Sequence, residues 1–380
     1  MKIGDRVRTA VIGCGAISEI YLENMINRFQ ILEVAGCCDL NRELAKAAGC
    51  RHGIPVLTMD EILGDESIEM VVNLTPPKVH YKVIHELLSA GKHVYTEKVL
   101  ASEWNQAGEL VELAEKKGLY LGAAPDTFLG AAAQTGRLLV DSGIIGEVTS
   151  CYGVLNRDCG VMAERFPYTA GQGGGIGLDV GIYYVTLLLS ILGPVREVSG
   201  ISMTRKPDRV HTFVSGDKLG EGYRMESENL MAGTLEFECG CVGTLHFNAN
   251  CIQNEKPQVV LYGTQGILYL PDPNQFGGEV KVLLKGQTEP VLIPHTHGYD
   301  GNSRGLGAAE MAWSIRRSRP CRADMYMACH GLEVLTGIME AGRRKEYYRM
   351  ESSFEKPSGL PRGYLGERYS GSEEESGLYF

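Results

Sequence analysis

Ala10-Val-Ile-Gly-Cys-Gly-Ala-Ile-Ser18 lies where a short apolar run gives way to helical spacing. Arg8–Ile12 predicts a strand, and Ile17–Phe29 predicts a helix whose apolar side carries Ile20, Met25 and Ile26. Between them, Gly13 permits a tight turn. Gly15 lets the backbone approach a pyrophosphate at the positive helix N-terminus, and Ser18 is small enough for close helix–strand packing. Such a glycine string is weak alone and gains weight from its strand–turn–helix setting. Asp39 adds a second feature. It follows the apolar run Ile31–Cys38 and stands 24 residues after Gly15, where a carboxylate accepts from adenosine ribose hydroxyls. A carboxylate there repels a 2′-phosphate, so NAD is expected and NADP disfavoured, with Arg42 softening the contrast. Capping the next helix is the plainer use of Asp39, and the two uses do not conflict.

Outward from this stretch the same alternation continues. Met70–Leu74, His93–Thr96 and Leu119–Ala123 read as strands, and Arg42–Ala48, Lys78–Ala90 and Glu103–Lys117 as helices. Near-continuous apolar strands alternating with amphipathic helices imply an N-terminal doubly wound parallel sheet of the Rossmann type over residues 1–125. Ligands of such sheets bind beyond the carboxyl ends of the strands. The loops Asn73–Pro77 and Thr96–Lys98 occupy such ends, which makes Lys98 a candidate for the reacting centre and not only a solvated lysine.

Beyond residue 126 the rhythm changes. A helix over Leu129–Ser142 precedes strand-like runs at Glu147–Asn156, Val195–Met203, Met231–Glu238, Val242–Ala249, Gln258–Tyr262, Gly266–Leu270 and Glu279–Leu284. Short turns join many of them, so a large, mostly antiparallel open sheet is expected. One long helix interrupts at Leu178–Leu192, and two more close the domain near Ser303–Ser318 and Tyr326–Glu340. The fold class is therefore α/β, with a C-terminal α+β domain over 126–355. Residues 356–380, rich in Pro, Gly, Ser and Glu, read as a loosely held tail.

Composition narrows the function. The chain has 380 residues, 44% hydrophobic and 22% charged, and a net charge of −10. That balance argues against a nucleic-acid partner, and the cluster Arg316, Arg317, Arg319 and Arg322 reads as a solvated helix end. No run of eighteen apolar residues predicts a membrane span. The charged start predicts no export signal. Eleven cysteines without a CxxC spacing suit reduced thiols in a cytoplasmic protein. His295 and His297 lack a third ligand, so no metal is expected.

Four stretches together carry a resemblance: Ala10–Ser18, Asn73-Leu-Thr-Pro-Pro77 with His80, Gly91-Lys-His-Val-Tyr-Thr-Glu-Lys98, and Gly173–Tyr183. Over residues 7 to 350 the chain resembles the Gfo/Idh/MocA oxidoreductases, the family of glucose–fructose oxidoreductase and inositol dehydrogenase. The resemblance implies NAD(P)-dependent oxidation or reduction of a hydroxyl of a sugar, cyclitol or glycoside. It also implies a homodimer or homotetramer built through the C-terminal sheet. Gly13, Gly15, Ala16, Ile17, Asp39, Leu74, Thr75, Pro76, His80, Glu97 and Lys98 are then the cofactor-binding residues. Two departures stand out. The family's Glu-Lys-Pro becomes Glu97-Lys98-Val99, and its Asp-x-Gly-x-His becomes Asp179-Val-Gly-Ile-Tyr183.

Tyrosine can serve where the family has histidine. On a helix, Asp179, Tyr183, Thr186 and Ser190 share one face, while Val180, Tyr184, Leu187, Leu188 and Ile191 share another. A free phenol titrates near ~10, and a cation lowers it. Lys98 and the oxidised nicotinamide are the cations the resemblance would bring. Lys98, Tyr183 and Asp179 are thus the catalytic candidates, the first two as proton acceptors and the third to orient hydroxyls. Asp126, Asn156, Arg157, Tyr168, Asp179, Tyr183, His297 and Arg304 are candidate substrate contacts. The C3 hydroxyl of a glucoside is an attractive target, because its oxidation leaves an acidic hydrogen beside the ketone. Two other functions stay open: a glycosidase recycling a tightly bound NAD, and a non-catalytic regulator that binds NAD and sugar.

Overall fold

The structure, a computed structural model, describes residues 6–364 apart from Cys159, Gln172, Ser215, Gln253 and Pro257. The chain runs β1 (Val7–Ile12), α1 (Ser18–Asn27), β2 (Leu32–Cys38), α2 (Arg42–His52), α3 (Met59–Gly64), β3 (Met70–Asn73), α4 (Pro77–Ser89), β4 (His93–Thr96), α5 (Trp104–Lys117) and β5 (Leu121–Ala123). It continues through α6 (Ala131–Asp141), β6 (Val148–Asn156), α7 (Gly160–Arg165), α8 (Ile182–Leu192), β7 (Val195–Met203), β8 (Asp208–Val210) and β9 (Gly222–Arg224). Then follow β10 (Leu230–Phe237), β11 (Val242–Asn248), β12 (Gln258–Gly263), β13 (Gly266–Leu270), β14 (Val280–Leu284) and β15 (Val291–Ile293). The last elements are α9 (Leu306–Arg317), α10 (Met325–Arg344) and β16 (Tyr348–Arg349). Two compact units result. Met1–Gln134, Thr296–Cys329 and Pro357–Phe380 form the first, and Thr135–His295 with His330–Lys356 the second.

The first unit holds a five-stranded sheet in the order β2-β1-β3-β4-β5, every pair parallel. β3 is buried along its whole length, as expected of a strand covered on both faces. The chain reverses its winding direction at β1 and β3, which opens a crevice at their carboxyl ends. Helix α9, read from the sequence as part of the C-terminal domain, belongs to this first unit. The Asp126 carboxylate accepts from the Gly305 and Gly307 amides, each at 3.0 Å, and so caps the start of α9.

The arginine cluster is also not a solvated helix end. Arg316 pairs with Glu69 through two bonds of 2.8 and 2.5 Å. Arg319 and Arg322 lie 2.6 and 2.7 Å from Glu310, whose side chain is wholly buried. Burial alone would raise the Glu310 carboxyl, but Arg322 and Arg319 outweigh it and hold the group at about 2. The Tyr364 hydroxyl donates to the same carboxylate at 2.9 Å, so the described start of the expected tail is anchored and not loosely held. Residues 365–380 of that tail lie outside the described residues.

The second unit is built on a nine-stranded sheet in the order β15-β14-β13-β12-β6-β11-β10-β7-β16. Only β6 and β11 run parallel; the other pairs are antiparallel. Alternation sets its faces: Met231, Leu235, Phe237, Leu245 and Phe247 point into the core, whereas Thr234, Thr244 and His246 are exposed. Helix α8 lies on the inner face, with the Tyr184 and Phe247 rings 5.2 Å apart. Every residue of α8 is buried, so the expected polar face over Thr186 and Ser190 is not solvated. The Ser190 hydroxyl donates to the Leu187 carbonyl at 2.7 Å, which satisfies it within the helix. A separate two-stranded sheet, β8 with β9, was not anticipated from the sequence.

Candidate active site

The crevice of the first unit is shaped by the end of β1. Gly13 has φ +98°, and a Cβ there would meet the Leu74 carbonyl carbon at 2.6 Å and the Thr75 nitrogen at 2.8 Å. Only glycine fits this turn. Above Gly15 the space is open for 4 Å around an added Cβ, and no side chain caps α1. The N-terminus of α1, with Ala16 and Ile17, is thus a free helix end suited to a pyrophosphate. Asp39 accepts from the Cys14 amide at 2.8 Å and from the Asn41 amide at 2.7 Å, so its carboxylate is fixed beside the loop. Capping of α2 falls instead to Asn41, whose side chain accepts from the Glu43 amide. These residues fit a dinucleotide.

The neighbouring strand ends are tied together by His80. Its Nδ1 lies 2.6 Å from the Val99 carbonyl and its Nε2 2.7 Å from the Thr75 carbonyl, in a fully buried position. Burial pushes the imidazole below its ordinary pKa, and the two carbonyl acceptors offset part of that shift. His80 therefore joins the loop of Leu74, Thr75 and Pro76 to the loop carrying Lys98. Glu97 has comparable internal duties. It accepts from the Tyr21 hydroxyl at 2.7 Å and from the Lys98 amide at 3.1 Å. Lys98 is half-buried, and the peptide joining it to Val99 is cis.

In the second unit, the glycine-rich stretch leads not into a plain α-helix but into a π turn over Gly177–Gly181, just before α8. Single π turns inside helices are frequent at functional sites. Asp179 sits in this turn. Its carboxylate accepts from the Tyr168 hydroxyl at 3.2 Å and faces the Arg157 guanidinium at 3.9 Å. Both charged side chains are largely buried, 14% and 10% exposed, so their mutual attraction is weakly screened. Tyr183 is 7% exposed and Tyr184 is fully buried. The sequence distinction between an outward Tyr183 and a core Tyr184 is thus one of degree.

Glu228 escaped the sequence reading. A Cβ on Gly175 would fall on the Glu228 carboxyl group, so the middle glycine of the run makes room for a buried acid. Burial raises the Glu228 carboxyl to about 7; its own amide and those of Gly177 and Leu178 pull it down, and Asp179 pushes it up. Nothing in Ser227-Glu228-Asn229 signals this partnership, because the glycines lie some fifty residues earlier.

The other candidates divide. Asn156 accepts from Asn248 at 3.2 Å and donates to Glu255 at 2.9 Å, next to Arg157. Asp126 is 1% exposed and caps α9 through one carboxylate oxygen; burial raises its carboxyl to about 6. His297 bonds the Leu360 carbonyl at 2.9 Å and pins the C-terminal segment. Arg304 donates to Asn302 at 2.9 Å in the loop before α9. Among the described residues no cluster of three or more His, Cys, Asp or Glu could hold a metal ion, and no helix is long and apolar enough to cross a membrane.

Comparisons with known proteins bear on this arrangement. Residues 7–124 match the family described as "Oxidoreductase family, NAD-binding Rossmann fold", and residues 133–269 match the "GFO/IDH/MocA C-terminal domain". An uncharacterised oxidoreductase of Rhizobium meliloti is 32% identical over 85% of this chain and 86% of its own. The D-glucoside 3-dehydrogenase of Escherichia coli is 27% identical over 67% of this chain and 73% of its own. Coverage of some relatives is smaller: an uncharacterised oxidoreductase of Schizosaccharomyces pombe, 28% identical, is matched over 51% of this chain and only 53% of its own length. The fold also superposes on levoglucosan dehydrogenase in complex with NADH, with a TM-score of 0.77 at 17% identity, over 91% of this chain and 100% of that one.

Proposed function

The chain belongs to the Gfo/Idh/MocA oxidoreductase family, and from that membership we propose that it is an NAD-dependent dehydrogenase of a carbohydrate hydroxyl. The observations that carry this reading are a glycine-turn nucleotide cradle in the first unit and, within the second, an Asp179 on a π turn held by Tyr168 and Arg157. The relatives that act on a glucoside and on levoglucosan support a sugar or glycoside as the substrate class. The C3 hydroxyl of a glucoside is our first choice within that class.

In this reading the α1 N-terminus and the Gly13–Ile17 loop hold the pyrophosphate, and Asp39 holds the adenosine ribose. Bound NAD supplies the acceptor for the hydride leaving the hydroxyl-bearing carbon. Asp179 accepts hydrogen bonds from sugar hydroxyls while Tyr168 and Arg157 fix its orientation. The hydroxyl proton passes to Tyr183 or to Lys98. Where Tyr183 takes the proton, the positive charge of Lys98 suits a role beside the developing oxyanion; where Lys98 takes it, the amine starts neutral. His80 and Glu97 act one step removed, by fixing the loops that present Lys98. The exposed face of the nine-stranded sheet is the surface through which we expect a dimer or tetramer to form.

The test begins with mass spectrometry of the freshly purified chain under native and denaturing conditions, then incubation with a panel of sugars and glycosides. The expected result is NADH appearing together with a keto-sugar. Release of aglycone without added NAD would replace this reading with an internally recycled cofactor. Neither nucleotide nor turnover would leave a sugar-sensing protein.

A further inference from the structure

A cavity of about 610 Å³ opens in the second unit. Its lining includes Arg205, Lys206, Arg209, Asp158, Asn248 and Asn250. Three cations within five positions are notable in a chain whose net charge is −10. The single acid among these six is already engaged. Asp158 accepts from the Gly160 amide at 2.8 Å and from the Thr212 hydroxyl at 3.3 Å.

Two of the three cations are tied down, Arg205 through its backbone and Arg209 through its guanidinium, and the Arg205 and Lys206 side chains are exposed. Asn229, fully buried, grips the backbone of Arg205: its carbonyl oxygen accepts from the Arg205 amide at 2.8 Å, and its amide nitrogen donates to the Arg205 carbonyl at 2.7 Å. Asn250 donates to the Asn229 carbonyl at 2.9 Å and in turn accepts from Arg209. Among the described residues, neither the Arg205 guanidinium nor the Lys206 ammonium has a hydrogen-bond or ion-pair partner. The Arg209 Nε–H is buried with no acceptor, a state that is expensive unless something else supplies one. Lys206 has φ +48°, a conformation uncommon outside glycine.

This lining wants a small anion with several oxygens. A carboxylate or phosphate would accept from the guanidinium groups and the ammonium together. The pocket also adjoins the Asp179 cluster through the chain. Arg157 precedes Asp158, its amide donates to the Asn248 carbonyl at 2.9 Å, and its guanidinium faces Asp179 at 3.9 Å.

We propose that this pocket binds the oxyanion of an acidic carbohydrate, so that the substrate is a sugar acid or sugar phosphate and not a neutral sugar. The word substrate rests on the dehydrogenase reading above; the binding itself does not.

Calorimetric titration of the full chain, loaded with NAD, with D-glucuronate, D-glucose 6-phosphate and D-glucose tests it. At least one acid should bind about 10-fold tighter than D-glucose, and the one that does tells carboxylate from phosphate. The Arg205→Ala/Lys206→Ala variant should lose that margin, with NAD affinity as the check on folding. Lys206→Ala alone, at an exposed side chain, serves if the double variant does not fold and should lose part of it. Equal affinity for all three ligands, or a margin that survives the substitutions, overturns the proposal. NADH formation in the same samples separates the two readings. Tight acid binding without NADH keeps the pocket and removes the dehydrogenase; NADH from D-glucose without any margin for the acids does the reverse.

Discussion

The Tyr168 hydroxyl donates to the Asp179 carboxylate across 3.2 Å, although a run of glycines separates the two residues in the chain. The bond fixes one carboxylate oxygen, and Arg157 stands 3.9 Å from the other. A hydrogen bond to a charged group contributes roughly 1.5–3 kcal/mol. Tyr168→Phe should therefore lower kcat/KM for a sugar by about 10- to 100-fold, chiefly through KM if Asp179 binds ground state and transition state alike. Steady-state kinetics on the variant decides it. Unchanged kcat/KM would mean that the cluster only braces the π turn.

Asp39 makes a second case, because its carboxylate already accepts from the Cys14 and Asn41 amides. Asp39→Asn keeps an oxygen for one of those amides and removes the charge. The preference for NAD over NADP should then shrink by about 10-fold, since repulsion of the 2′-phosphate is what the charge supplies. Titration with both nucleotides measures the ratio. A ratio equal to wild type would move the discrimination to Arg42 or elsewhere.

These two sites differ in how far the sequence disclosed them. The nucleotide cradle was legible because its physics is local: Gly13 turns, α1 begins, and Asp39 closes the next strand within one βαβ unit. The strands of the large sheet were legible for the same reason, through alternation and turn residues. Partnerships across the chain were not. The helix-capping bonds of Asp126 are not legible in the sequence, because its partners, the Gly305 and Gly307 amides, come 179 and 181 residues later. The arginine run at 316–322 looked solvated because the buried Glu310 between Arg319 and Arg322 sits on an otherwise ordinary helix. Helix α8 carries polar residues at helical spacing, yet it is covered on all sides, and only the tertiary packing reveals that.

Lys98 and Tyr183 are the two proton acceptors on offer, and each can be removed with little change of shape by Lys98→Met and Tyr183→Phe. General-base catalysis contributes about 10²–10⁴-fold. The variant lacking the true base should lose turnover on that scale, while the other loses less. NAD affinity in Tyr183→Phe should stay at the wild-type level, because Tyr183 lies outside the cradle. Single-turnover rates with a responsive sugar separate chemistry from release. Wild-type rates in both variants would remove both residues from the mechanism.

Glu228 gives the fold a pH dependence of definite sign. Burial raises its carboxyl from an ordinary 4.5 to about 7, so the folded chain binds this proton more tightly than the unfolded chain does. Its contribution to stability is fully present below 4.5 and is lost as pH rises through about 7. The full swing is about 3 kcal/mol at most. Asp126 and Asp324, each raised by burial to about 6, act in the same direction over a lower range. Glu310, held at about 2 by Arg322 and Arg319 against the opposing effect of burial, acts oppositely and destabilises only in acid. Glu228→Gln stays neutral at every pH. Its melting temperature should fall less than the wild type's between pH 4.5 and 7, while both curves share the slope that the two aspartates add up to about pH 6. Thermal melts across that range measure the difference. Parallel curves would mean that Glu228 is ionised in the folded chain, with the Gly177 and Leu178 amides outweighing burial.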